Sequence, residues 1–142
     1  MFKRIVVATD LSDSSFEVVK GAGELRKYGA EECLLLHVQD RNRIEPYLSS
    51  RLDEFNEIDG ARLDSLRRRL EAVGRAAVDT EIRYGKPFVE IDEAASERGA
   101  DLVVMGFQGR GFVGGLFIGS VSQNVARYAS SSVLLVPAEI SI

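Results

Sequence analysis

Five short runs with the features of β-strands recur along the chain, and each of the first four is followed by a segment with helical periodicity. The runs are RIVVATD, ECLLLHVQD, AAVDTEIRYG, DLVVMG and SVLLVP. Four of them are largely apolar, and the third has Val78, Thr80, Ile82 and Tyr84 in alternation. Strands that alternate with helices favour one parallel sheet, and continuously apolar runs are typical of strands covered on both faces. Because crossovers between parallel strands are right-handed, the pattern predicts a doubly wound, five-stranded α/β fold. The residues leave two strand orders open, 2-1-3-4-5 and 3-2-1-4-5.

Glycine and proline mark the ends of the predicted helices. Gly29, Gly74 and Gly99 each follow a run of helical periodicity, and Pro87 stands where the third helix begins. Glycine adopts the left-handed conformation that often ends a helix, and proline fits the first helical turn. The first helix is capped by Ser12 or a neighbouring Asp or Ser.

Composition narrows the class of protein. The chain has 142 residues and a net charge of −4, which predicts one domain over residues 1–142 and no nucleic-acid partner. The densest basic run, Arg67–Arg69, lies in a helical pattern with Asp64 and Glu71 nearby, so we expect a solvated, paired face.

The single cysteine, Cys33, lies in an apolar run and is expected to be buried in the protein interior. One cysteine cannot form an internal disulfide, which fits a reducing compartment. No apolar run is long enough for a signal peptide or a membrane span, which predicts a cytoplasmic protein.

The most unusual segment is GFQGRGFVGGLFIGS, which contains the literal pattern G-x-G-x-x-G at Gly109, Gly111 and Gly114. A dinucleotide fingerprint requires a strand to end at the first glycine and a helix to begin almost at once after the last. Here the strand ends near Gly106, before the match, and GLFIG intervenes before the helix. No acidic residue follows at the ribose-binding distance, so the dinucleotide interpretation is disfavoured. The Walker pattern of phosphate-binding loops is also absent.

A second glycine spacing does match the predicted elements. Gly106 ends the fourth strand, Gly109 follows three residues later, and Gly119 precedes Ser120 at the start of the last helix. Glycine permits close approach of backbone N–H groups to an anion, and a helix start adds free donors and partial positive charge. The segment therefore fits a phosphate-binding loop in which the Ser120 and Ser122 hydroxyls also donate. The alternative, a flexible surface loop in which Ser120 is only a helix cap, stays open at this point.

The spacing G-x-x-G-x9-G-[ST] resembles the signature of the nucleotide-binding branch of the universal stress protein family. The segments RIVVATDLSDSS, LLHV, GKP, ADLVVMG and GSVSQNVARYASSSVLLVP resemble other parts of that family, so the resemblance covers essentially all of the chain. It implies an adenine nucleotide alpha hydrolase-like fold with strand order 3-2-1-4-5. The family often has Arg or His inside the G-x-x-G step, where this chain has Phe107 and Gln108.

The resemblance also implies a ligand, ATP, with Mg²⁺ sharing the phosphate charge, bound at the carboxyl ends of the strands. Asp10 matches the residue near the adenosine, and Ser120 lies among the phosphate-binding positions. The complete set of matching positions is Ala8, Thr9, Asp10, Val38, Met105, Gly106, Gln108, Gly109, Arg110, Gly119, Ser120, Val121 and Ser122. No residue is assigned as a metal ligand or a catalytic group.

Three functions are consistent with this sequence. The first is an ATP-binding regulatory module in stress response, the second a slow ATPase, and the third a dimeric interaction module without a ligand. Phosphate hydrolysis needs charge stabilisers and a positioned water, and Arg110 is the only cation in the glycine loop, so turnover is expected to be slow or absent. The apolar final strand and the family resemblance predict a homodimer through residues 133–136.

Overall fold

The protein is described by a computed structural model that covers residues 2–12, 15–27, 29–44, 52–74, 77–106 and 119–137. Strands and helices alternate along these ranges, as the sequence pattern predicts. The elements are β1 (Arg4–Thr9), α1 (Ser15–Lys27), β2 (Glu32–Asp40), α2 (Arg41–Ile44), α3 (Leu52–Glu71), β3 (Val78–Gly85), α4 (Pro87–Arg98), β4 (Leu102–Gly106), α5 (Ser120–Tyr128) and β5 (Ser132–Val136).

The five strands form one parallel sheet in the order β3-β2-β1-β4-β5. This order confirms the one implied by the family resemblance and excludes 2-1-3-4-5, which the residues alone left open. Val7 of β1 lies between Leu35 of β2 and Val104 of β4. The first strand is therefore central, and the chain builds the sheet outward from it on both sides.

Both faces of the sheet are covered, as expected for a doubly wound fold. On one face, α1 and α3 pack on residues such as Val7 and Leu35. On the other face, α4 and α5 pack on Val6 and Leu34. Successive residues of a strand point to opposite faces, so a continuously apolar run contributes to both clusters.

The predicted helix ends are close to the observed ones. Pro87 is the first residue of α4, and Gly99 ends that helix in the left-handed conformation with φ of 62°. Gly29 and Gly74 also have positive φ, at 122° and 105°, two and three residues after the ends of α1 and α3. The glycines therefore turn the chain back toward the sheet, where any side chain would be strained.

The two edge strands, β3 and β5, have exposed side chains. Among the described strands β3 pairs only with β2, and Thr80 and Tyr84 of its alternating series are exposed. At the other edge, Leu134 of β5 is 39% exposed. Alternation predicted a strand correctly, but the position of that strand in the sheet determines how much of it is covered.

Two expectations about charged and titratable residues can be compared with the structure. Cys33 is buried, and burial raises the pKa of its thiol to about 12, so it remains protonated at neutral pH. Arg67 donates to Asp64 at 2.7 Å and to Glu71 at 2.8 Å, which confirms a paired helix face. Hydrogen bonds from Arg67 to Asp64, and from the Val78 backbone N–H to Glu71, lower the pKa of both carboxyls.

Within the described ranges, none of the helices combines the length and hydropathy needed to span a bilayer.

Candidate functional site

The candidate site lies at the carboxyl ends of β1 and β4, which are neighbours in the sheet. β2 and β3 extend the sheet on one side of this point, and β4 and β5 extend it on the other side. Val7 and Val104 are paired across the two strands, and Thr9 and Gly106 each lie two residues further along. The carboxyl ends of the two strands therefore lie side by side. In open α/β sheets, ligands bind in the crevice outside such a switch point.

The turn that follows β1 has an unusual backbone. Leu11 has φ of 60° and is the one residue other than glycine with positive φ in the described ranges. For a residue with a Cβ this conformation costs roughly 1–2 kcal/mol. Two local hydrogen bonds offset the cost: the Leu11 N–H donates to Thr9 Oγ1 at 3.0 Å, and the Ser12 N–H donates to Asp10 Oδ1 at 2.9 Å. Strained backbone of this kind is concentrated at functional sites.

An apolar wall, defined here as Ala8, Val38 and Met105, lies beside the switch point. All three side chains are buried, at 7%, 9% and 5% exposure, and belong to the cluster on the α4–α5 face. They come from β1, β2 and β4, three adjacent strands of the sheet. Phe88 of α4 and Val121 of α5 are partly buried against the same cluster. The wall is thus the kind of surface on which a planar apolar group can pack.

The N-terminus of α5 lies next to the end of β4. The first hydrogen bond of the helix runs from the Gln123 N–H to the Gly119 carbonyl at 2.9 Å. The N–H groups of Ser120, Val121 and Ser122 precede it and have no acceptor within the helix. The Ser122 hydroxyl donates to the Gly106 carbonyl at 2.6 Å, which holds the helix start to the strand end. Ser122 therefore has its backbone N–H rather than its hydroxyl proton to offer to an anion.

Ten of the thirteen positions indicated by the sequence lie in the part of the chain that the structure describes. Gly106 and Gly119, at the two ends of the glycine loop, are held together through Ser122. Thr9 and Asp10 lie at the neighbouring strand end. Gln108, Gly109 and Arg110 lie outside the described residues.

Sequence reasoning missed the contacts of His37, which lies in the second half of β2. His37 is buried, its Nδ1 lies 2.9 Å from the Thr9 carbonyl oxygen, and its Nε2 lies 3.4 Å from Asp59 Oδ2. The sequence does show that His37 and Gln39 share one face of β2. It does not show that Asp59, twenty-two residues later in a charged helix, would reach them.

Among the residues that the structure describes, no group of three or more His, Cys, Asp or Glu side chains is arranged to hold a metal ion.

Comparison with known proteins identifies the family. The family model described as "Universal stress protein family" matches residues 1–137. The chain belongs to the universal stress protein family. A universal stress protein from Thermus aquaticus is 38% identical over 141 residues, covering 96% of this chain and 99% of the relative. Universal stress protein MJ0577 of Methanocaldococcus jannaschii is 29% identical over 155 residues, covering 96% and 95%.

Solved structures agree with this assignment. The structure of MJ0577 gives a TM-score of 0.87 at 28% identity and covers 99% of this chain and 100% of that chain. A universal stress protein solved in complex with cAMP gives a TM-score of 0.73 at 27% identity, covering 97% and 98%. The family fold therefore extends over nearly the whole chain, and one similar protein binds an adenine nucleotide.

Proposed function

We propose that this universal stress protein is an adenine-nucleotide-binding regulatory module of the ATP-binding branch, with ATP as its ligand. Three features lie at one switch point: the turn that contains Asp10, the apolar wall and the N-terminus of α5. Their proximity is the observation that carries the proposal. An adenine nucleotide needs a partner of each kind: an apolar surface for the base, an acceptor for the ribose hydroxyls and donors for the phosphates. The cAMP complex of a similar universal stress protein supports the same ligand class.

Each part of the candidate site has a role in this proposal. Ala8, Val38 and Met105 form the surface for the adenine, and the Asp10 carboxylate accepts hydrogen bonds from the ribose, as acidic residues do in other nucleotide-binding α/β folds. The backbone N–H groups from Ser120 to Ser122 donate to the phosphates, helped by the positive end of the α5 dipole. The backbone around the proposed nucleotide site is shaped by Thr9, Gly106 and Gly119. Gln108, Gly109 and Arg110 complete the phosphate loop on the basis of the sequence pattern, and any Mg²⁺ is assigned to the phosphates.

The proposal is tested by calorimetric titration of the purified protein with ATP, ADP and cAMP, with and without Mg²⁺. We expect saturable ATP binding at a stoichiometry of one per chain, because the proposed site takes all of its groups from one chain. Phosphate release measured on the same samples tests the slow-ATPase alternative, and little or no turnover is expected. Absence of heat for every nucleotide at millimolar concentration, with circular dichroism showing a folded protein, would contradict the proposal and favour a ligand-free interaction module.

A homodimer through β5 is the second part of the proposal. Among the described strands β5 pairs only with β4, and its Leu134 is exposed, so we infer that its other edge pairs with a second copy of the chain. Light scattering at micromolar concentration is expected to give twice the chain mass, and substitution of Leu134 by Lys is expected to shift it toward the monomer. A monomeric wild type would refute the dimer.

The single domain over residues 1–142 and the cytoplasmic location stay predictions of the sequence.

A further inference from the structure

Three polar side chains, those of His37, Gln39 and Asp59, lie behind the turn that follows β1, on the α1–α3 side of the sheet. His37 and Gln39 of β2 are 6% and 3% exposed, and both contact Asp59 of α3. His37 is also paired with Thr9 in the register of β1 and β2. The imidazole therefore joins the last residue of β1 to a carboxylate on a helix. A buried ring with polar partners on both sides is held in one orientation.

The chemistry of the two partners determines which nitrogen of the ring donates. A carbonyl oxygen only accepts, so His37 Nδ1 carries a proton and donates it to Thr9 O at 2.9 Å. Nε2 faces Asp59 Oδ2 at 3.4 Å. The same carboxylate oxygen accepts from Gln39 Nε2 at 3.3 Å, and Gln39 Nε2 also donates to Asn56 Oδ1 at 2.8 Å. His37 and Gln39 therefore both face Asp59, but of the two only His37 also contacts Thr9.

The position of the Thr9 carbonyl matters because the turn that follows it is strained at Leu11. Leu11 has positive φ, and its N–H and that of Ser12 are held by Thr9 Oγ1 and Asp10 Oδ1. Those two acceptors belong to the turn itself. The hydrogen bond from His37 comes from another strand, so it fixes the start of the turn relative to the sheet and therefore relative to β4 and α5.

We propose that His37 is a positioning residue of the nucleotide site: it holds the Thr9 carbonyl and thereby directs the Asp10 carboxylate into the switch-point crevice. This inference rests on the proposed function for its effect on affinity. It does not require His37 to touch the nucleotide, since its ring lies on the opposite face of the sheet from the apolar wall.

The test compares two substitutions of His37 in the full-length protein. His37→Phe keeps the ring volume and removes the donor, and we expect the dissociation constant for ATP to rise about tenfold, the effect of losing one well-placed hydrogen bond. His37→Asn places an amide N–H close to the position of Nδ1, and affinity is expected to return to within about threefold of wild type. Rescue by asparagine would not follow from a purely space-filling role.

Gln39→Leu is the matched control. It removes a buried polar contact to the same Asp59, from the same face of the same strand, but Gln39 has no contact with Thr9 among the hydrogen bonds of the described residues. We expect lower thermal stability with unchanged ATP affinity. A loss of affinity equal to that of His37→Phe would overturn the inference, because it would show that general loosening of β2 and α3 is sufficient.

A spectroscopic measurement makes the inference independent of nucleotide binding. His37 is the only histidine in the chain, so its ring nitrogens give a single set of signals in ¹⁵N spectra. We expect a protonated Nδ1 in the wild type, and shifted backbone amide signals for Leu11 and Ser12 in His37→Phe but not in Gln39→Leu. A ring protonated at Nε2 alone, or unmoved amide signals, would overturn the positioning role.

Failure of wild type to bind any nucleotide would instead overturn the proposed function, and these spectra would still decide the role of His37. If His37→Phe does not fold, His37→Gln, whose amide corresponds to the Nε2 end of the ring, takes its place with the same expectations.

Discussion

Replacing Asp10 with alanine is expected to weaken ATP binding about 100-fold. A hydrogen bond to a charged group contributes roughly 1.5–3 kcal/mol, and a factor of ten in affinity corresponds to about 1.4 kcal/mol. Alanine also removes the acceptor of the Ser12 N–H and so releases the strained turn at Leu11. Asp10→Asn separates the two effects, because an amide oxygen still accepts from Ser12 while the charge is lost. We expect an intermediate loss of about tenfold for asparagine, measured by calorimetric titration with ATP.

The matched control for Asp10 is Asp40, which stands at the end of β2. Asp40 Oδ1 accepts the N–H of Asn42 at 3.0 Å, the same local arrangement that Asp10 makes with Ser12. It lies away from the switch point between β1 and β4. Asp40→Ala is expected to leave ATP affinity within about twofold of wild type. Equal losses for the two alanine variants would show that strand-end capping, rather than the position of Asp10, controls binding.

Replacing Arg26 with methionine is expected to lower the free energy of unfolding by about 3 kcal/mol. Arg26 of α1 is 5% exposed, and its Nη1 donates to the carbonyl oxygens of Leu70 and Val73 at the end of α3, the second at 2.7 Å. The last carbonyls of a helix have no partner within the helix, and the dipole makes this end negative. Methionine fills much of the volume but leaves both buried acceptors without the guanidinium, which is costly. Urea denaturation at neutral pH measures the loss.

Lys27→Met is the control for Arg26, because it removes a neighbouring positive charge from the same helix. Lys27 is exposed, and its ion pair with Glu24 is long, at 3.5 Å. Exposed pairs of this kind contribute roughly 0–1 kcal/mol, so the change is expected to stay below about 1 kcal/mol. A loss for Arg26→Met no larger than that of Lys27→Met would show that the two carbonyl contacts do not stabilise the fold.

Part of the candidate site could be predicted because its residues follow strand ends in the linear sequence. Asp10 directly follows the first apolar run, and Gly106 ends the fourth. Since the carboxyl ends of parallel strands lie at one edge of the sheet, such residues approach each other whenever the strands are neighbours. The choice between phosphate loop and plain surface loop needed the family resemblance as well, because glycine spacing has both explanations.

The contacts that support the site could not be predicted. The left-handed conformation of Leu11 has no sequence signal, because leucine rarely adopts it and gives no reason to expect it. The same holds for Asp59, a charged residue in a charged helix, and for Arg26, which looks like any basic residue near a helix end. The contacts of Asp59 and Arg26 join residues that are far apart in the sequence, so they depend on how the helices lie on the sheet.

The sequence by itself determined the element types, their order and the doubly wound parallel fold, since hydrophobic periodicity and helix-terminating glycines are local properties. It also determined that Cys33 is buried and that the basic run around Arg67 is paired. Periodicity alone left the place of β1 in the sheet open, because a crossover can place the next strand on either side, and the family resemblance implied one order. The tertiary structure established that β1 lies between β2 and β4. That one arrangement creates the switch point, and with it the contact of His37 with the Thr9 carbonyl and of Ser122 with Gly106. Side-chain contacts across the sheet depend on this packing, which no single stretch of the sequence encodes.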